Sequence, residues 1–575
     1  MQPDTVSRRA AGRIPGWIAT CLTALALTRP DAARAFPLLD TGGTGDGPVA
    51  TDLSAPDAQD LKHQLQIANG LQGLAAGGGW TFQPRVSFQE ALTDNVLQAS
   101  SPRRWDLTTY ISPGMTLVGN TERAQVSLDY APVLVMNART GSQNALNQQL
   151  NGTATITAID EFAFLDLRAV SGVQSSRGAL GGGGTIGAGN IGGLTAGAGA
   201  GGLGQTGLTR QNELQTSSIA ISPYVVRKFG DYGTLRVGYS LNIGQSSPVN
   251  GFQYLPIPSG SGAQSLISNE QTVNFKTGDF LDDFQDTFNL DFTQSMSRFQ
   301  SGTLTTGSTA AITSTRSTRE IITDEVSYAV NRWAKLNVTV GHEHITYTGA
   351  GIAPIDDFTW NIGTTLTPNP DSAITIGYGH QQGTNSLTFD GHYQLTARTS
   401  ISASYNESLG TQLENLRNQL GAGAISANGG TVNATTGGQQ FTGTNNTPSQ
   451  AGIFRFQTFT ATVNTRRDRD TLTFTLNSST STATGGTSSA QTSTRSSGVV
   501  VTWVHEMAPD LTLNTSASYY ALSSGSSIAF NAALQYTITA SLAASVRYTF
   551  FKSTSTTPLL NLYEDILLLG ITKQF

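Results

Sequence analysis

The chain has 575 residues, a formal net charge of −6 and only 13% charged residues, about half the usual globular share. Beyond residue 40 no apolar run approaches the roughly 18 residues a membrane-crossing helix needs, and the acidic balance offers no basic footprint for nucleic acid. The missing charge is replaced by 63 Gly and by many Ser, Thr, Asn and Gln, while 24 Phe, 16 Tyr and 6 Trp, many inside patterned segments, argue against disorder and for a β-rich chain.

Residues 1–35 read as an export signal. Arg8, Arg9 and Arg13 form a positive start, Ile14 to Leu27 an apolar stretch, and Ala33-Arg34-Ala35 a small-x-small cleavage site before Phe36. Arg8-Arg9 also matches a twin-arginine pair, but no apolar run follows it directly, which favours an ordinary secretory signal. Cys21 is the only cysteine. A lipid anchor there is disfavoured by bulky Thr20, and cleavage at Ala35 leaves a mature chain with neither disulfide nor thiolate chemistry.

Residues 36–79 read as a periplasmic linker. Phe36 to Asp57 is rich in Gly, Asp, Thr and Pro. Ala58 to Leu74 carries Leu61, Leu65, Ala68 and Leu71 at helical spacing, and Gly77-Gly78-Gly79 ends it. The segment predicts a short helix or small plug, and is too short, without sustained heptads, for a coiled-coil partner.

From Trp80 to Phe575 the period is two. Val126, Leu128 and Tyr130 alternate with Gln125, Ser127 and Asp129. Leu235, Val237, Tyr239 and Leu241 alternate with Arg236, Gly238 and Ser240. Phe288, Leu290 and Phe292 alternate with Asn289 and Asp291, and Val546, Tyr548 and Phe550 with Arg547 and Thr549. Each segment thus has one apolar and one polar face. A soluble sandwich shares this pattern, but three features favour an all-β, antiparallel transmembrane barrel over residues 80–575.

First, tight turns alternate with long loops. The turns are Gly119 to Glu122, Ile159 to Glu161, Gly230 to Gly233, Pro368 to Asp371, Arg467 to Asp470 and Ala508 to Asp510. The loops include Ser175 to Gln211, Gln245 to Asn269 and Leu409 to Gly452. Second, Trp105, Trp333, Trp360 and Trp503 fall near strand ends, where an interfacial girdle belongs. Third, Leu567, Leu569, Ile571 and Phe575 share one face of a closing strand, with Lys573 interrupting it and placed to snorkel toward the periplasm. The tally is about 22 strands, within about 18 to 24, with short periplasmic turns and long extracellular loops.

The segment Trp80 to Val96 runs a strand into Thr93-Asp94-Asn95-Val96. Ile111-Ser112-Pro113-Gly114-Met115 follows, then Arg123 to Tyr130 ending in Leu128-Asp129-Tyr130. These elements resemble the outer-membrane barrel family associated with PEP-CTERM and exopolysaccharide systems of Gram-negative bacteria. Leu92-Thr93 stands where that family shows an aromatic before Asp-Asn. The closing strand with its terminal Phe575 likewise resembles the signal read by the barrel insertion machinery. The resemblance implies an outer-membrane location and a link to polysaccharide export or surface assembly, with polysaccharide and periplasmic export components as partners beside membrane lipid.

Candidate chemistry is sparse, and no cofactor, metal or enzymatic activity is expected. His342-Glu343-His344 puts two imidazoles on one strand face about 7 Å apart, continuing the lipid-directed face of Leu336, Val338 and Val340. Asp279, Asp282, Asp283 and Asp286 crowd a presumed turn with no EF-hand spacing. The glycine run from Gly181 to Gly204 lacks the Lys-Ser/Thr of a phosphate loop, and no G-x-S-x-G marks a hydrolase triad. Arg123, Asp129, Arg236, Asp291 and Arg547 are the expected lumen-lining charges. The expected function is a channel for exopolysaccharide export. The alternatives are a plugged barrel anchoring partners, with loop Ser175 to Gln211 or Leu409 to Gly452 folded inward, or a diffusion porin.

Overall fold

The computed structural model describes residues 79–575 except 98, 176–212, 249–261, 279, 281–282, 302–311, 416–422, 426–430, 434–451, 486–492, 524 and 556–560. The predicted signal, linker and helix, the glycine run, Asp279 and Asp282 lie outside the described residues.

Strands follow one another round a single antiparallel wall. β1 (Gly79–Thr93) and β2 (Asp106–Asn120) lead it. β3 (Ala124–Tyr130) and β4 (Val133–Asn137) both pair with β2, while β5 (Ala145–Asn147) pairs with β4 and β6 (Leu150–Ile159) with β3. Then come β7 (Ala163–Ser175), β8 (Glu213–Lys228), β9 (Gly233–Pro248), β10 (Gly262–Thr277), β11 (Phe284–Ser301) and β12 (Ile312–Asn331). β13 (Ala334–Thr348), β14 (Ile355–Asn369), β15 (Ser372–Gln381), β16 (Thr384–Thr396) and β17 (Thr399–Gly410) continue it. β18 (Gly423–Ile425) and β19 (Thr431–Asn433) form a separate hairpin. β20 (Ile453–Arg467), β21 (Asp470–Gly485), β22 (Thr494–Ala508), β23 (Leu511–Leu522), β24 (Gly525–Thr539), β25 (Leu542–Ser555) and β26 (Leu562–Gln574) complete the circuit.

β26 pairs with β1 from Arg85↔Gln574 to Thr93↔Ile566, so the wall closes and no strand edge meets lipid. The sheet has 24 segments, but β3–β4 and β5–β6 are each one wall position broken in two, leaving 22 positions. All six predicted tight turns fall at one end of the barrel, the end that also holds Gly79 and Gln574, and by the habit of outer-membrane barrels this is the periplasmic end. The predicted loop borders Gln245 and Asn269 are corrected: both lie within strands, β9 and β10.

The apolar residues face outward. Trp80, Phe82, Val86, Phe88 and Leu92 of β1 alternate with buried Arg85, Ser87, Ala91 and Thr93, and the outward five are 42–59% exposed. That is the inside-out distribution of a wall solvated by lipid, and the barrel belongs to the outer membrane. Trp80, Trp333 and Trp503 stand exposed near the periplasmic end and Trp105 at the extracellular end. Trp360 is further inside its strand, edge-on to Tyr378 with centroids 6.0 Å apart. Leu567, Leu569, Ile571 and Phe575 all point outward, and Lys573 Nζ donates to Ser541 Oγ in the periplasmic turn at 2.6 Å.

Candidate functional site

The inner wall is polar because alternation sends every second side chain there. From β20 to β24 its positions between the strand ends are almost all Ser, Thr, Asn, Gln or small residues, bonded across strands as in Asn477 Nδ2 to Tyr520 OH at 3.3 Å. From β10 to β14 it carries charge instead: Glu270, Asp291, Arg319, Glu325, Glu343 and Asp357.

Four of the five predicted lumen charges face inward. Asp129 receives both guanidinium arms of buried Arg85, at 2.7 and 2.8 Å, and the hydroxyl of Thr116 at 2.7 Å. Arg236 lies over the Tyr224 ring at 4.5 Å, and that ring stacks on Phe164 at 4.7 Å. Asp291 accepts from Thr293 Oγ1 at 2.8 Å. Arg547 projects inward between Ser545 and Thr549. Arg123 is corrected. That residue lies in the turn before β3, is exposed at the periplasmic end and pairs with Asp160 of the next turn at 3.0 Å.

The main feature of the lumen is a strap built by the extracellular ends of β17 and β20 and by residues 411–415. β16 pairs with β17 only as far as Phe389↔Tyr405, whereas β17 and β20 stay paired up to Gly410↔Phe454. Past Tyr405 this strand pair therefore leaves its neighbour and bends inward. Leu409 and Ile453 pack on Ile345, Tyr347 and Ala350, and the Tyr347 hydroxyl donates to the Leu409 carbonyl at 3.3 Å. Arg455 bridges Glu407 Oε1 at 3.0 Å and the Gln382 carbonyl at 2.8 Å. That carbonyl is offered by a two-residue turn, Gln382-Gly383, with φ of 53° and 72°, the mirror-type turn that suits a tight hairpin. Glu343 holds the same turn, accepting from the Gly383 N–H at 3.3 Å.

Beyond Gly410 the strap makes one helical turn, residues 412–415. It opens on a reciprocal cap: Glu414 N–H donates to Thr411 Oγ1 at 3.2 Å, and Thr411 N–H donates to Glu414 Oε2 at 2.7 Å. The turn touches the far arc of the wall, with β12 to β16 intervening. Ser295 Oγ of β11 donates to Glu414 Oε1. Leu413 and Leu266 of β10 both close over Gly244 of β9, where an added Cβ would meet them at 3.7–3.9 Å. The strap is thus a chord across the extracellular half of the lumen. Of the two loops expected to fold inward, the one after Leu409 begins to do so, and the other lies outside the described residues. The strap residues carried a signal in sequence, the capping pattern Thr411-x-x-Glu414, that alternation alone passes over.

The three sequence elements from β1 to β3 meet in space. Gly114 leaves room for Arg85, whose Cζ would lie 3.0 Å from a Cβ there, and Arg85 then reaches Asp129. Thr93-Asp94-Asn95-Val96 fastens the extracellular end of the seam. Asn95 Nδ2 donates to the carbonyls of Ala99 and Tyr563 at 2.8 and 2.9 Å, Thr93 Oγ1 donates to Glu564 at 3.0 Å, and Asp94 Oδ1 accepts the Asp565 N–H at 2.8 Å. His342 and His344 face outward, as their alternation predicts, and both approach Asp356 Oδ1, at 3.2 and 3.5 Å.

No family model and no curated protein matches the chain. Among solved structures, the siderophore receptor PirA from Pseudomonas aeruginosa aligns over 86% of this chain and 80% of its own, at 8% identity and a TM-score of 0.42. The ferric-catecholate import receptor Fiu from E. coli K12 aligns over 85% and 81%, at 10% identity and 0.46. The FrpB iron transporter from Neisseria meningitidis aligns over 88% and 83%, at 9% identity and 0.45. The expected role in exopolysaccharide export is overturned. A strap crosses the bore that a polymer conduit would need open. The polysaccharide and export-component partners fall with it.

Proposed function

We propose that the protein is a non-enzymatic outer-membrane transport barrel for small polar solutes, gated by the strap of residues 406–415. The observation that carries this reading is the double attachment of the strap, to β13 through Tyr347 and to β9–β11 through Leu413 and Glu414. A chord held by a few side-chain contacts narrows the lumen and is displaceable, while the hydroxyl- and amide-rich wall from β20 to β24 offers a hydrated path beside it. The likeness of the Thr93–Val96, Ile111–Met115 and Leu128–Tyr130 elements to the PEP-CTERM-associated barrels is carried as a proposal of common descent, with no polysaccharide role attached.

Single-channel conductance in a planar bilayer tests the gate. Leu413→Ala with Glu414→Ala frees the strap and is expected to raise unit conductance severalfold. Gly244→Cys with Leu413→Cys, oxidised, is expected to lower it until reductant restores it. Equal conductance in wild type and both variants, from protein verified as folded, would sink the gate. Block by ferric siderophores would redirect the reading to iron-chelate uptake, the role of the aligned receptors.

A further inference from the structure

We infer that the outer surface at the extracellular end of β25, β26, β1, β2 and β4 binds the phosphorylated head group of an outer-leaflet glycolipid, lipid A in a Gram-negative membrane. Four exposed cations stand at this end of the strip, Arg103, Arg104, Arg139 and Lys552, and among the described residues the last three have no carboxylate within ion-pair distance. Asp94 and Asp565 stand among them, and the grouping still carries an excess of positive charge in a chain of net charge −6. Two of the arginines on the strip are held against outward aromatics. Arg139 Cζ is 3.5 Å from the Trp105 ring, and Arg103 Cζ is 4.4 Å from the Tyr563 ring. The second of these also pairs with Asp94 at 3.3 Å, so it frames the patch while the other three supply its charge.

The height of the strip identifies the ligand. Trp105 lies on the same outward row as Leu107, and Lys552 on the row of Phe550. Below them the exposed residues are apolar: Leu92, Leu107 and Met136. Cations and aromatic rings directly above an apolar band match the head-group level, with space below for acyl chains. A soluble anion would gain nothing from that band, whereas a phosphorylated glycolipid uses both parts.

The test is lipid A bound per barrel after purification, measured by mass spectrometry, together with titration of nanodisc-held full-length protein with bisphosphorylated and dephosphorylated lipid A. Arg104→Gln, Arg139→Gln and Lys552→Gln together are expected to strip the lipid, each cation contributing about fivefold in affinity. Arg123→Gln at the periplasmic end is expected to leave it bound. Equal retention in both variants would refute the site. Should the triple variant fail to show heat-modifiable migration, the wild-type titration decides: binding that ignores the phosphates refutes the proposal, and binding that requires them supports it.

Discussion

Arg85 is the residue on which the first three strands converge. It is 4% exposed, and its charge is matched by Asp129 alone among the described carboxylates, at bidentate distance. Removing one member of a buried pair strands the other, which costs about 3–5 kcal/mol. Asp129→Ala should therefore lower the urea midpoint of unfolding, followed by heat-modifiable migration, and Arg85→Met with Asp129→Leu should recover most of the loss. A single-residue rule also explains the error at Arg123. Alternation carried back one residue from β3 enters the turn, where the chain no longer has two faces. Gly383 gives a smaller prediction. Its φ of 72° is natural to glycine, so Gly383→Val should cost about 1–2 kcal/mol and loosen the contact between Arg455 and the Gln382 carbonyl, lowering protection of the strap amides in hydrogen exchange.

At the scale of elements, the latch after β1 separates two kinds of closure. Strand pairing from Arg85 to Thr93 closes the wall, while Asn95 fastens the loop above it to the Tyr563 carbonyl. Asn95→Ala leaves buried backbone groups unpaired, each worth about 1–3 kcal/mol. It should speed exchange of the Asp565 amide without changing the strand register. Most elements were legible in the sequence because lipid outside and water inside impose a period of two, and because the turns at 119–122 and 467–470 carry their own chemistry. The borders at Gln245 and Asn269 were not legible. At Gln245 the strand nears the extracellular rim and both faces turn polar, while in mid-strand β10 the polar Asn269 and Gln271 take outward positions and Leu266-Ile267 puts apolar residues on both faces, so alternation fades where pairing persists. The strap was half legible. Thr411 and Glu414 announce a helix start, but its inward course is decided by Ser295, Leu266 and Tyr347, which come from distant parts of the chain.

For the whole molecule, the location of the obstruction decides what can move it. The described part of the strap, residues 406–415, is rooted in β17 at the extracellular end, where β17 and β20 part from β16 beyond Tyr405 and Phe459. Under the proposed gating, residues 406–415 lie within reach of the extracellular mouth, so a solute entering from that side meets the obstruction before it meets the rest of the lumen.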